Sequence, residues 1–189
     1  TPYKDLLIIA TQNGVCLFNP ANGQCRQLFK DSKEGKSIKM VADVVFDSEG
    51  TLWIAATGEG VFSYRFDTRK LTNYRHDAAN PNSLSNNNVN NITQDSKGNL
   101  WFSTSGSGLD LYRPETNDFE NFDKGKNGLA SDCIYETQES PTSGKLLLIT
   151  NEGFSIFDYR NKDFNNYSAE NGFPLTAVNE NALCVTRDG

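Results

Sequence analysis

A single histidine, His76, limits the acid–base chemistry open to this chain. Any Ser-His-Asp arrangement would have to use it, and a histidine-rich metal centre is excluded. It lies in the polar stretch YRHDAANPNS, which reads as a solvent-exposed loop. Four cysteines, Cys16, Cys25, Cys133 and Cys184, show no Cys-x-x-Cys spacing, which speaks against zinc and thioredoxin-like chemistry. Cys16 and Cys25 fall on adjacent expected strands whose registers do not obviously oppose them. Free, buried thiols acting as small hydrophobes are therefore expected, with a disulfide as the alternative. The turns Asp47-Ser48-Glu49-Gly50 and Asp95-Ser96-Lys97-Gly98 are too short for the six to eight oxygens of calcium. An Asp capping its own turn, with Gly supplying a positive φ, explains them better. No carboxylate pair stands out for glycoside cleavage. The residues thus predict no catalysis, no metal and no cofactor.

The chain has 189 residues and a net charge of −6, so a broad basic surface for nucleic acid or anionic lipid is not expected. No apolar run approaches the roughly 20 residues of a membrane span, and no signal peptide is seen. This segment is not expected to insert in a membrane, and an anchor or export signal would lie outside it or not exist. Aromatic residues (12 Phe, 7 Tyr, 2 Trp) favour strands, while 22 Asn and 15 Gly favour tight turns, so the elements must be many and short.

Four segments beginning at Leu7, Trp53, Trp101 and Leu146 align, with starts 46, 48 and 45 residues apart. The alignment runs without gaps. Phe18, Tyr64, Tyr112 and Phe157 recur at one offset, and Leu28, Tyr74, Phe122 and Tyr167 at another. The second unit shows four strands: Val41 to Asp47, Leu52 to Thr57, Val61 to Phe66 and Leu71 to Arg75. Helical periodicity is absent. A lone four-stranded sheet cannot bury both faces, and stacking several around an axis does so. The fold class is all-β, a β-propeller segment of four antiparallel four-stranded blades within one domain, 1–189. The repeats span 1–35, 36–80, 81–125 and 126–171, followed by a C-terminal strand at 178–189.

The strings DSEGTLWIAATGEGVFSYRFDTRKLTNY, DSKGNLWFSTSGSGLDLYRPETNDFENF and SLSNNNVNNITQDSKGNLWF resemble the two-component regulator propeller repeat. Leu7 and Leu146 stand where that family has Trp, and Glu136 is aligned with Val44 and Ile92. The resemblance implies part of a larger, seven-bladed propeller in the periplasmic sensor region of a hybrid two-component receptor in the inner membrane. Such receptors carry a histidine kinase elsewhere and detect glycan fragments to control polysaccharide-utilisation genes. The implied partners are an oligosaccharide or other small-molecule ligand, the remaining blades and domains of the receptor, and a second receptor copy in a homodimer. A propeller enzyme acting on glycans or cyclic peptides, and a structural spacer, remain the alternatives.

Trp53, Trp101, Tyr64, Tyr112, Tyr74 and Phe122 recur with the repeat and are assigned to the blade cores rather than to sugar stacking. Function on a repeat scaffold sits in the loops that vary. Connections from strand four to the next strand one share a face with the turns between strands two and three. That face carries the candidate ligand residues Glu59, Asn87, Asn88, Ser107 and Glu152. The segment Asn181 to Thr186 could supply the strand missing from the first unit and close a four-bladed ring. A piece of a larger ring, the favoured alternative, would leave the ends apart.

Overall fold

The computed structural model describes residues 2–3, 5–32, 34–173 and 183–186. Short strands separated by Asn- and Gly-containing turns pair into four antiparallel sheets, each in simple up-and-down order. Blade 1 holds β1 (Pro2–Tyr3), β2 (Leu6–Thr11), β3 (Gly14–Phe18) and β4 (Cys25–Gln27). Blade 2 holds β5 (Val41–Phe46), β6 (Thr51–Ala56), β7 (Gly60–Arg65) and β8 (Lys70–Tyr74). Blade 3 holds β9 (Val89–Gln94), β10 (Leu100–Thr104), β11 (Leu109–Arg113) and β12 (Asp118–Phe122). Blade 4 holds β13 (Ile134–Glu139), β14 (Leu146–Thr150), β15 (Gly153–Asp158) and β16 (Asp163–Ser168). A one-turn helix, α1 (Lys124–Asn127), interrupts the connection between blades 3 and 4. This is the all-β propeller architecture that the repeat predicts.

The blades pack face to face, and the two-residue period of a strand sends alternate side chains to opposite neighbours. From β6, Leu52, Ile54 and Ala56 enter the core shared with Ile8 and Val15 of blade 1. Trp53 and Ala55 enter the core shared with Leu100 and Phe102 of blade 3. Trp101 faces Leu146, Leu148 and Phe157 of blade 4. Every residue of β6 and of β10 is buried, because each lies between two blades. The recurring tryptophans are thus core residues, and the turn aspartates hold them. Asp47 Oδ1 accepts the N–H groups of Glu49 and Thr51, and its Oδ2 accepts Trp53 Nε1–H at 2.8 Å. Asp95 repeats this with Lys97, Asn99 and Trp101 Nε1–H, the last at 3.0 Å. These carboxylates are committed to turn and core.

The gapless alignment is corrected before the second turn. Between Ala56 and Gly60 the β6–β7 turn has three residues, whereas Thr11 pairs Gly14 and Thr150 pairs Gly153 across two. In blade 4 the loss is compensated upstream. Ser140 N–H reaches the Lys145 carbonyl, one residue farther than Asp47 to Thr51 or Asp95 to Asn99. Ile8 and Leu147, not Leu7 and Leu146, therefore occupy the tryptophan position. Thr137, paired with Leu148, stands in register with Val44 and Ile92. Glu136 belongs with Asp43 and Asn91 instead, as the 45-residue spacing from Trp101 to Leu146 already requires when counted from Asn91.

That second set forms a belt along the innermost strands. Asp43 Oδ2 accepts Ile92 N–H at 2.9 Å, Asn91 Oδ1 accepts Thr137 N–H at 3.0 Å, and Glu136 Oε2 accepts Leu183 N–H at 3.2 Å. Blades 2 and 3 thus each cap a backbone donor of the next blade, and blade 4 caps one beyond it. Leu183 lies beyond blade 4 on the same path, beside β13 rather than β2, and Gln138 Nε2 donates to its carbonyl at 3.3 Å. Pro2–Tyr3 supplies the strand next to β2. Of the C-terminal strand expected at 178–189, residues 178–182 and 187–189 lie outside the described residues, and 183–186 carry no strand.

The expectation of free, buried cysteines is also corrected. Cys16 and Cys25 are disulfide-bonded, with Cα atoms 6.3 Å apart. They sit diagonally across β3 and β4, since Cys16 pairs Gln27 and Phe18 pairs Cys25. None of the four is buried, because they lie on outer strands and connections: Cys25 and Cys184 are exposed, and Cys16 and Cys133 are partly so.

Candidate functional site

The connections between blades and the β6–β7, β10–β11 and β14–β15 turns gather on one face, as backbone bonds show. Ser105 N–H donates to Asn88 O, Gly106 N–H to Asp132 O and Asn151 N–H to Cys133 O. Gly60 and Gly153 open the third strands of blades 2 and 4, and Gly108 directly precedes that of blade 3. At Gly60, Gly108 and Gly153 any Cβ would run into the carbonyl of Tyr74, Phe122 and Tyr167 respectively. This close approach locks the turns to the ends of the fourth strands and fixes the floor of the face.

A cleft of about 360 Å³ opens there, lined chiefly by His76, Asp77, Ser85, Ser107, Asn121 and Asp132. Beneath it lies the carboxylate of Asp110, fully buried. Ser85 donates to Asp110 Oδ2 through its N–H (2.9 Å) and its hydroxyl (2.8 Å), and Asn121 Nδ2 donates to Oδ1 at 3.2 Å. Burial pushes the Asp110 carboxyl up to about 6, against the pull of these three hydrogen bonds and of the His76 charge. Asn121 Nδ2 also holds the Ser107 carbonyl at 2.8 Å. His76 Nδ1 lies 3.0 Å from the Leu84 carbonyl, which pins the ring against its own loop. The result is a polar floor with fixed amide and hydroxyl groups under an acidic rim.

Of the five residues expected here, Ser107 lines the cleft and accepts Asn86 Nδ2–H at 3.2 Å. The others share the face but lie outside that lining. Glu59 pairs with Arg75, and Glu152 pairs with Lys124 at 3.1 Å. Asn87 Oδ1 accepts His76 N–H at 2.8 Å, and the Asn87 carbonyl accepts Gly60 N–H. Asn88 is exposed, and its backbone bridges to Asn86 and Ser105. Asp110 escaped sequence reasoning, although a signal was present. Its repeat counterparts are Cys16, Phe62 and Ser155, so an acid breaks the pattern. No group of three or more His, Cys, Asp or Glu side chains suited to a metal occurs among the described residues.

Residues 83–106 match the family model described as two component regulator propeller. The match covers the connection into blade 3, its first two strands and the start of the next turn. No curated protein matches the chain in sequence. Among solved structures, the chain is similar to the extracellular domain of BT3049 from B. thetaiotaomicron, described as a hybrid two component system. The identity is 24%, covering 88% of this chain and 24% of that one, with a TM-score of 0.76. It is also similar to PorZ, a surface component of the type-IX secretion system of Porphyromonas gingivalis. There the identity is 15%, covering 83% of this chain and 24% of that one, with a TM-score of 0.58. The chain spans about a quarter of either relative. It is a β-propeller segment that carries a two-component regulator propeller repeat.

Proposed function

We propose that this chain is a sensory propeller segment of a two-component receptor, without catalysis of its own, and that its loop face reads a glycan fragment. The observation that carries this is the cleft over Asp110, where amide and hydroxyl groups are held in place before any ligand arrives. Such pre-organised neutral donors and acceptors suit a ligand rich in hydroxyls. Glu59, Asn87, Asn88 and Glu152 around Ser107 extend the contact surface for a longer oligosaccharide. The Cys16–Cys25 bond fits an oxidising compartment, and the likeness to an extracellular domain fits the same place. We therefore infer a periplasmic segment of an inner-membrane receptor, with a histidine kinase elsewhere in the protein and a homodimer as the signalling unit. Ligand binding would bias that dimer between states.

Calorimetric titration of the full-length protein with a panel of neutral oligosaccharides tests this reading. Saturable binding that weakens in Ser107→Ala and in Lys126→Ala, a change of a second residue lining the same cleft, with no new reducing ends released, is the expected result. Turnover of any component, or affinity unchanged in both variants, would overturn it.

A further inference from the structure

On the opposite face the interface between blades 2 and 3 is left open. A cleft of about 530 Å³ lies there, between the β5–β6 and β7–β8 turns of blade 2 and the β9–β10 and β11–β12 turns of blade 3. Blades 1 and 4 flank it, so its shape does not depend on what lies beyond them.

The neighbouring interfaces explain the opening. The residue directly after the third strand is Phe66 in blade 2, Pro114 in blade 3 and Tyr159 in blade 4. Phe66 packs on Phe46 and Tyr64 within the core between blades 1 and 2. Tyr159 covers Trp101, with ring centroids 5.4 Å apart, in the core between blades 3 and 4. Pro114 has no such ring to lay over Trp53, and it lines the cleft. A second position acts in the same direction. The residue paired with the tryptophan position on the third strand is Leu17 in blade 1, Ser63 in blade 2 and Leu111 in blade 3. Leu17 and Leu111 fill their cores, whereas Ser63 faces the cleft. At both plug positions, then, the apolar group that seals the other interfaces is missing here.

What replaces it is polar. Ser63 pairs with Thr72 across the strands, and Thr51 lies one row away beside Arg65 and Lys70. Among the described residues, no hydrogen-bond partner meets the hydroxyls of Thr51, Ser63 or Thr72, although Thr51 and Ser63 are only 7% and 8% exposed. These hydroxyls open to the cleft without protein partners, so the hydroxyls of a ligand can take the place of water there. Tyr74 and Tyr112 form an aromatic wall, fixed by hydrogen bonds from both hydroxyls to Asn117 Oδ1 at 2.9 Å each. On the rim, Arg65 is paired with Asp67 and Arg113 with Asp118. Lys70 and Lys97 have no carboxylate partner among the described residues, with Lys97 Nζ 4.9 Å from the Tyr159 ring centre. Of the three acids in the lining, Asp47 is held by two amides and the Trp53 indole, Glu49 lies 3.9 Å from Arg65, and Glu115 has no ion pair among the described residues.

We infer that this cleft is a second binding site, taking an acidic saccharide whose hydroxyls meet Ser63 and Thr72 and whose carboxylate meets Lys70 and Lys97. It is independent of the loop-face reading and survives that reading's failure.

The probe is digalacturonate, titrated calorimetrically into the full-length protein, with neutral galactobiose as control. Saturable binding of the acid, at least tenfold weaker binding of the neutral disaccharide and weakening with added salt are expected. Pro114→Tyr and Ser63→Leu install the groups that seal the neighbouring interfaces. Each should keep the melting temperature and cut digalacturonate affinity at least tenfold, while Ser107→Ala leaves it unchanged. Absence of saturable binding, or unchanged affinity in a folded Pro114→Tyr protein, would overturn the proposal. So would loss of binding in Ser107→Ala, which would move the ligand to the other face. Should the plugging variants not fold, Lys70→Ala combined with Lys97→Ala decides: unchanged affinity overturns the site, and a tenfold loss supports it.

Discussion

The central blades and the flanking blades solve one packing problem in two ways. In blades 2 and 3 a three-residue turn follows the second strand, and a tryptophan tied to a turn aspartate fills the next interface. In blades 1 and 4 that turn has two residues, and the same position carries Ile8 or Leu147. A strand's side-chain period is two, so a shift of one residue exchanges its faces. Blade 4 keeps its first strand in place only because its first turn gains the residue that the second turn loses. The repeat length is preserved while the residue facing each neighbour changes. In blade 1 the shift turns Leu7 and Ile9 to the open side, where they are 41% and 40% exposed.

The sharpest way to break this comparison is to truncate the three equivalent residues. Trp101→Ala should cost about 3 to 5 kcal/mol, as for other buried aromatic truncations, because the ring is fully enclosed. Ile8→Ala, at a site 2% exposed, should cost about 2 to 4 kcal/mol. Leu147→Ala, only half-buried, should cost least. Denaturant melts would check the order. An equal cost for Leu146→Ala and Leu147→Ala would restore the gapless alignment.

The second largest effect concerns charge rather than volume, and it sets the buried strand acid of blade 3 against its uncharged counterparts. The Asp110 carboxyl is raised to about 6 in the folded chain, above its ordinary 3.8. The folded state therefore holds the proton more tightly than the unfolded state between those values. Stability from this group is full below about pH 4 and is lost as pH rises to about 6, by about 3 kcal/mol. Asp43 is raised too, by burial first, so the wild-type slope is not Asp110's alone. The check is the difference in melting temperature between wild type and Asp110→Asn. Wild type should fall relative to the variant between about pH 4 and 6, and parallel profiles would refute the assignment.

Much of this architecture was legible before any coordinates. Strands of blade 2 predicted at Val41 to Asp47 and Leu52 to Thr57 form at Val41–Phe46 and Thr51–Ala56, because turn residues bracket them. The compensated slip was invisible because an insertion and a deletion of one residue cancel in the spacing. The Cys16–Cys25 bond was missed because a cross-strand diagonal looks like a mismatch when only directly opposed pairs are considered. At the loop face, variability located the surface but not its geometry. Glu59 and Glu152 have the right polarity, yet Arg75 and Lys124 engage them through contacts that no local pattern announces. Pro114 and Ser63 could have been read as breaks in the repeat, but only the blade-to-blade packing shows that both border one cleft.

A smaller effect separates the two kinds of first turn. Asp95 accepts hydrogen bonds from two backbone amides, the Asn99 side chain and Trp101 Nε1–H. Its counterpart Ser140 accepts Ser143 N–H at 3.4 Å and exchanges a hydroxyl contact with Thr142 at 3.3 Å. Asp95→Ala should therefore cost about 1 to 3 kcal/mol, because it leaves the buried indole N–H without a partner. Ser140→Ala should cost less than Asp95→Ala. Similar losses in thermal melts of the two variants would show that the aspartate contributes nothing through the tryptophan.

The smallest expected change lies in the exposed ion pairs on the loop face, one from a central blade and one from a flanking blade. Glu59 with Arg75 and Glu152 with Lys124 hold side chains that remain 39% to 55% accessible. Solvent and salt screen such pairs, so Glu59→Gln and Glu152→Gln should each shift stability by less than about 0.5 kcal/mol. Their value is therefore diagnostic. Because stability barely moves, any loss of oligosaccharide binding in either variant reports contact with the ligand and not a damaged fold. If Ser107→Ala weakens binding while both glutamine variants leave it unchanged, the ligand is confined to the cleft over Asp110. If Glu152→Gln also weakens it, the ligand reaches from that cleft along α1 toward blade 4, and the binding surface spans a central and a flanking blade together.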